Sequence, residues 1–403
     1  MKAKFFVLFT LYIAQSIPMS FFSTIVPVIM RQENFSLESI GLIQLVKIPW
    51  ILKFLWAPAV DRFSNNSVHY RKWIFTSEIF YAGIIFSIGF LNLQYDFQLI
   101  IALVVIAFVA SATQDIATDA YAILILKVKE RGMGNSMQSS GSFTGTLVGS
   151  GVLLVIYYHF GWQLLLFSLS LFVIIALIPL IFYQRGKIIP KPESEKPSMK
   201  DIATFFTQKG IHRHIFTLVF YYSGIIGILT MLKPYLVDLG YNSGEIGTMV
   251  GIMGTGFAAI SALGAGAILK KVHRKSAFFL FLIPTASAGI YFRWLSAADP
   301  TDFMIYTGVF LVWMAYGFSS VLIYTSSMDR VRPGREGTDF TIQIVLTHLS
   351  SLIISVFSGF YAGKFGYSGL FTAEIALCAA TYAVIIFFNP RKDKYEKPIK
   401  ANK

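Results

Sequence analysis

The chain has 403 residues, of which 55% are hydrophobic and only 14% charged, yet its net charge is +13. A soluble domain is about 25% charged, so a water-soluble globule of this size is excluded, and no stretch offers a soluble basic face for nucleic acid. The single cysteine, Cys378, rules out an intrachain disulfide and a cysteine-built metal site; neither metal nor cofactor is expected.

A bilayer core about 30 Å thick needs about 20 apolar residues per helix. Lys2 and Lys4 before an apolar run mimic a signal peptide. That run is too long, lacks a small-residue cleavage site and is followed by many more, so 5–30 is span one, carrying Gln15. Span two, 40–60, contains Lys47 and Lys53, and span three, 73–92, contains Glu78. Span four, 97–126, carries Gln114, Asp115 and Asp119. Span five, 132–158, has Gln138 and a stripe of Gly141, Gly145 and Gly149; span six is 161–183. Residues 184–213 interleave Pro190, Pro192 and Pro197 with Lys and Glu and read as a solvated linker with a short surface helix. Span seven, 214–237, holds Lys233, and span eight, 245–269, holds Gly247 and Gly251. Spans nine to twelve are 276–295, 303–328, 338–362 with Gln343, and 367–388 with Glu374. Both glycine stripes read as packing surfaces. The fold class is an all-α integral membrane protein with twelve transmembrane helices. Two six-helix bundles, 1–183 and 214–403, flank the 184–213 linker, the second ending in a cytoplasmic tail.

Loop charge sets orientation. All but six of the 34 Lys and Arg fall on the side of the N-terminus. Arg31, Arg293 and Lys364 lie opposite; Lys47, Lys53 and Lys233 lie inside spans. By the positive-inside rule both termini are cytoplasmic in a multi-pass protein. The excess charge is thus a topology signal. The halves also repeat. Gly132, Gln138 and Phe160-Gly161-Trp162 recur 205 positions later as Gly337, Gln343 and Phe365-Gly366-Tyr367, and Ile40-Gly41 recurs as Ile246-Gly247. Parallel six-helix repeats related by an axis along the membrane normal place a substrate near the midplane between halves.

An ionisable group at a span centre costs about 2.5–3.5 kcal/mol and needs a partner or a watery cavity. Asp115 and Asp119, four residues apart on one face, cannot both ionise cheaply and would titrate as a unit, as a proton-carrying site requires. Alternatively, they are fixed ion-pair partners of Lys53 or of cations at the rim. Lys53 is deep and favours pairing with the acidic span over direct substrate contact. Lys47 and Lys233 could hold an anionic substrate or snorkel to the outer interface. Gln15, Gln114, Gln138 and Gln343 either bind a polar substrate or tie helices together. Glu78 and Glu374 favour structural roles.

Lys53 to Phe63, KFLWAPAVDRF, with Arg71-Lys72 after it, resembles the loop between spans two and three of major facilitator proteins. In that family an Asp-Arg pair and later basic residues latch the halves at the cytoplasmic face. The resemblance assigns gating to Asp61, Arg62, Arg71 and Arg131, although Ala57 stands where glycine is usual. The strings YIAQSIP (12–18), KFLWAPAVDR and SATQDIATDAYA (111–122), followed by Glu130-Arg131-Gly132, resemble the AmpG muropeptide permeases and the acetyl-CoA-transporter-like branch. The likeness is strong to about residue 165 and faint beyond. It implies a secondary transporter, a proton-coupled importer of a bulky polar or anionic solute such as an anhydro-amino-sugar peptide. It also implies rocker-switch alternating access in a bacterial inner membrane, as a monomer. From the residues themselves, Asp115, nearer the midplane, would carry the proton, shared with Asp119, and Gln15, Lys47, Lys53, Gln114, Gln138, Lys233 and Gln343 would contact substrate. A siderophore importer of the rhizobactin or pyochelin type shares much of the pattern, and Ser16 replaces the usual glycine. A glycine-proline motif typical of drug antiporters is absent from span five, which argues against efflux. A membrane enzyme is disfavoured because His69, His159, His212, His214, His273 and His348 show no metal-ligand spacing. A non-transporting sensor on the same scaffold is the remaining rival.

Overall fold

The computed structural model describes residues 3–34, 43–183, 188–192 and 195–388. Among these the chain is helical and crosses twelve times, antiparallel from one span to the next. Span one is Ala3–Gln32, loosened by a π-turn at Phe21–Ile25. Span two, 43–62, is a chain of short α and 3₁₀ turns; the expected 40–42 lie outside the described residues. Pro49 and Pro58, which offer no backbone N–H, each open a new helical segment here. Between them Lys53 begins a 3₁₀ turn. Span three, Ser67–Ile88, is capped by the Asn66 side chain, which accepts from the Val68 and His69 N–H groups. Span four is Phe97–Ile125.

Spans five and six form one helical run, Val128–Phe182, broken at Gly161 (φ 75°, ψ −171°). Spans eleven and twelve form another, Glu336–Phe388, broken at Gly366 (φ 68°, ψ 176°). Only glycine adopts this backbone without strain. The two breaks are 205 residues apart, so the repeat read in the sequence is present in the backbone. Span seven, Ile211–Asp238, begins earlier than the expected 214, because left-handed Gly210 turns the chain and Ile211 is already buried. Spans eight, nine and ten are Gly244–Ile268, Arg274–Leu295 and Asp302–Met328.

Buried apolar side chains form one core within residues 218–385, which Phe143 alone joins from earlier in the chain, and two cores largely within residues 5–180. The span-five stripe packs as expected. A Cβ at Gly141, Gly145 or Gly149 would fall 2.4, 2.7 and 2.4 Å from the carbonyl oxygens of Phe9, Ile13 and Ile17 on span one. The span-eight stripe does not. Gly247 and Gly251 face open space, because span eight is π-helical over Gly247–Gly254 and turns them away from its neighbours. Its glycines approach neighbours closely at Gly254, against Trp313 of span ten, and lower down at Gly266, against Ser136 of span five.

The linker lies across one face, here termed the linker face. Ser67 N–H donates to the Ile189 carbonyl and Lys191 N–H to the Asn65 carbonyl. A short helix, Lys200–Phe205, packs Phe205 with Ile211 and Ile342, against Phe54 of span two.

Candidate functional site: buried charges between two bundles

Six of the predicted polar residues converge in the linker-face half of the first bundle: Gln15, Lys53, Gln114, Asp115, Asp119 and Gln138. Asp115 and Asp119 lie one helical turn apart and both are buried. Lys53, 1% exposed, forms an ion pair with Asp115. Its ammonium also lies 4.9 Å from the Trp50 ring, a favourable cation–π position. Asp119 accepts instead from the Tyr12 hydroxyl at 2.5 Å and, weakly, from Gln138 Nε2 at 3.5 Å. One carboxylate therefore faces a fixed cation, while the other has neutral donors only. Beside them Gln15 Nε2 donates to Gln114 Oε1 at 2.8 Å. Gln114 Nε2 and Gln138 Oε1 remain buried without a protein partner.

The structure does not bring the other candidates into this cluster. Gln343 donates to the Ser327 and Asp339 carbonyls and meets His214 Nε2 at 2.7 Å, all near the linker face. Lys233 is exposed toward the opposite end of span seven, and Lys47 is half-buried on the outer part of span two. Three residues that pattern reading passed over do join it. Tyr12 opens the YIAQSIP string, but nothing in its type or spacing marks it as a partner of an acid. Tyr324 of span ten stands 205 positions after Asp119 and within electrostatic reach of both acids. His348 of span eleven lies within electrostatic reach of Lys53, and its side chain is exposed. With no metal-ligand spacing around it, its sequence position gives no hint of this neighbour.

The predicted gate is more dispersed. Asp61, 1% exposed, caps the start of span eleven. It accepts from Gly337 N–H (3.0 Å), Thr338 N–H (2.7 Å), the Thr338 hydroxyl (2.7 Å) and the Tyr70 hydroxyl (2.7 Å). An anion at a helix N-terminus meets unsatisfied N–H groups and the positive end of the dipole. A Cβ at Gly337 would fall 2.9 Å from Ile116 and 3.1 Å from Asp61 Oδ1, so the approach needs glycine. Linker residue Lys191 places its ammonium 3.7 Å from Asp61 and 3.5 Å from Glu336, and donates to the Asp61 carbonyl at 3.0 Å. Arg131 bonds the Met328 carbonyl and Asp329, both at 2.9 Å; Arg274 takes the other Asp329 oxygen at 2.9 Å. Arg71 bonds the Leu180 carbonyl at 2.9 Å, within the first half, and Arg62 is exposed. Ser136 and Ser140 of span five donate to Ala262 and Ala259 of span eight. The seam is thus closed at the linker face by spans two, five, eight and eleven.

The Major Facilitator Superfamily model matches residues 5–353 and 215–403. The chain belongs to the Major Facilitator Superfamily. It is 24% identical to the anhydromuropeptide permease of Escherichia coli K12, over 92% of this chain and 76% of that protein. It is 23% identical to the putative transporter AmpG 1 of Rickettsia bellii, over 89% of this chain and 91% of that one. A crystal structure of a bacterial homologue of the iron transporter ferroportin, in an outward-facing state, shares its fold. The TM-score is 0.69 at 17% identity, with 97% of this chain and all of that chain covered. The major facilitator fold and the AmpG-like character expected from the motifs are therefore established. This superfamily member is a multi-pass membrane transporter of a small-molecule solute, and not an enzyme.

Proposed function

We propose that this transporter is a proton-coupled importer of a muropeptide-type solute, an anhydro-amino sugar bearing a carboxylate-rich peptide. In this reading it is a monomer in the bacterial inner membrane, with the linker face and both termini cytoplasmic. Residues 1–183 and 214–403 rock about a central chamber, and 184–213 connects them. The basic bias of the linker-face loops supports the orientation. The names of the curated relatives support the solute class over a siderophore.

One observation carries the coupling. Two adjacent carboxylates share a face of span four, one paired with Lys53 and the other held by Tyr12 without a cation. Asp115 is then the fixed counter-ion, and Asp119 the group that takes a proton while its neighbour stays charged. A substrate carboxylate reaching Lys53 competes with Asp115, and the freed negative charge favours a proton on the pair. Solute and proton thereby load together. The unpartnered amides of Gln114 and Gln138 suit the substrate's amide groups. In proteoliposomes, Asp119→Asn should abolish uphill, proton-driven uptake while retaining downhill exchange of labelled anhydromuropeptide. Full uphill uptake by Asp119→Asn would overturn the assignment.

A further inference from the structure

A group of aromatic side chains at mid-membrane depth plays no part in the acid cluster. Phe143 of span five is buried in the core of the second half. Its ring meets Tyr316 and Trp313 of span ten edge-on, with centroids 5.6 and 6.4 Å away. The Trp313 and Tyr316 rings are 5.9 Å apart, and Tyr222 of span seven lies 5.7 Å from Tyr316. Phe143 and Tyr316 each lie twelve residues from the linker-face end of their helices. That is about 18 Å of helix rise, near the middle of the bilayer core. Trp313 and Tyr316 both keep part of their surface open.

Span eight makes room for this cluster. A Cβ at Gly254, where its π-helical stretch ends, would fall 2.3 Å from the Trp313 indole nitrogen. Any larger residue must push the indole aside. Beyond Gly254, Gly251 and Gly247 leave open space toward the outer end. In the other direction, Tyr316, Ser320 and Tyr324 recur every fourth residue and descend toward Asp119. The Tyr222 hydroxyl donates to Ser320 at 3.0 Å. These positions follow Ser111, Asp115 and Asp119 by 205 residues. The repeat thus sets an aromatic and hydroxyl stripe of one half opposite the acid stripe of the other.

We infer that Trp313 and Tyr316, backed by the buried Phe143, form a stacking shelf for the ring face of a saccharide, with Lys53 below it taking a carboxylate of the same molecule. A pyranose presents a face of C–H groups, which pack on the electron-rich face of an aromatic ring. An open apolar surface with a few convergent polar groups is the ordinary makeup of a ligand site. The inference rests on the muropeptide reading and adds which side chains meet the sugar.

The test uses the full-length protein in nanodiscs and titration calorimetry with two probes, a disaccharide anhydromuropeptide and its free tripeptide. Trp313→Leu should weaken the disaccharide ligand about tenfold and leave the tripeptide unchanged. Trp313→Phe, which keeps a ring, should stay within about threefold. Gly254→Ala, which displaces the indole without removing it, should give the same selective loss. Equal losses for both probes, or none, would overturn the shelf. Wild-type protein that binds the tripeptide but not the disaccharide overturns the shelf and leaves the transporter reading intact. Binding of neither overturns both. Selective loss in Trp313→Leu together with uptake indifferent to a proton gradient supports the shelf and overturns the coupling.

Discussion

Lys53 takes a full charge into a helix junction and meets it with one carboxylate and one indole face. Breaking such a pair leaves an uncompensated buried charge, which costs about 3–5 kcal/mol; replacing both partners by apolar residues of similar volume is near neutral. Lys53→Met or Asp115→Leu alone should therefore lower thermal stability in detergent sharply, and the double variant should recover most of it. A double variant no more stable than either single one would show that the pair is not energetically coupled. Tyr12→Phe removes only the hydroxyl that Asp119 accepts. A hydrogen bond to a charged group is worth about 1.5–3 kcal/mol, so the pH profile of proton-driven uptake should move by about one to two pH units. Substrate affinity at fixed pH should change little. An unmoved profile would release Tyr12 from any part in holding the proton. Legibility in the sequence was uneven among these residues. The acid pair and Lys53 stood out because charge is rare in a span. Tyr12, Tyr324 and His348 did not, because their importance lies in whom they face.

Glycines of one sequence pattern have different fates in different helices. Span five must let the span-one backbone touch it at Gly145, whereas a Cβ at Gly251 of span eight would meet nothing within 4 Å. Gly145→Val should thus destabilise by about 1–3 kcal/mol through overpacking, and Gly251→Val should be close to neutral in the same melting assay. Comparable losses would contradict the packing described. The linker helix makes a second prediction. Asp201 accepts from Ser198 N–H and Arg335, with Arg332 close by. Burial pushes its carboxyl up, but these donors and cations outweigh burial and hold it below the usual carboxylate range. A depressed folded-state value means that this stabilisation is complete above the ordinary aspartate range, about 3.9, and is lost as pH falls through the lower folded value. Hydrogen exchange in 200–205 should accordingly stay protected from pH 8 to 5 and lose protection only in stronger acid. Early loss near pH 6 would point to a different group.

Across the whole molecule, Asp61 joins span two to the start of span eleven with three hydrogen bonds, Tyr70 of span three adds a fourth within the first half, and Lys191 adds the linker to that junction. The bonds to span eleven cross between the two halves, so opening the linker face would have to break them. Asp61→Ala deletes charge-assisted bonds worth about 1.5–3 kcal/mol each, so the population should shift at least tenfold toward a linker-face-open state. Thiol labelling of a Ser136→Cys variant, made in a Cys378→Ser background, should speed up accordingly, with equilibrium substrate affinity largely kept. Unchanged labelling would show that the seam is held elsewhere, for instance by Arg131 and Asp329.

Composition and order along the chain were enough to set the spans, their alternation and the repeat. Bilayer thickness, the cost of buried charge and loop charge asymmetry act on local composition, and each leaves a mark along the chain. The same reading located the glycines that break the backbone, since Gly161 and Gly366 stand at matched places in the two halves. Pairing had to wait for the folded molecule. Which acid receives Lys53, which glycine meets a neighbour, and which aromatic rings gather at mid-depth all depend on how helices far apart in sequence rotate and cross. Side chains on a helix point in every direction around it, and only packing chooses the face that becomes the interior.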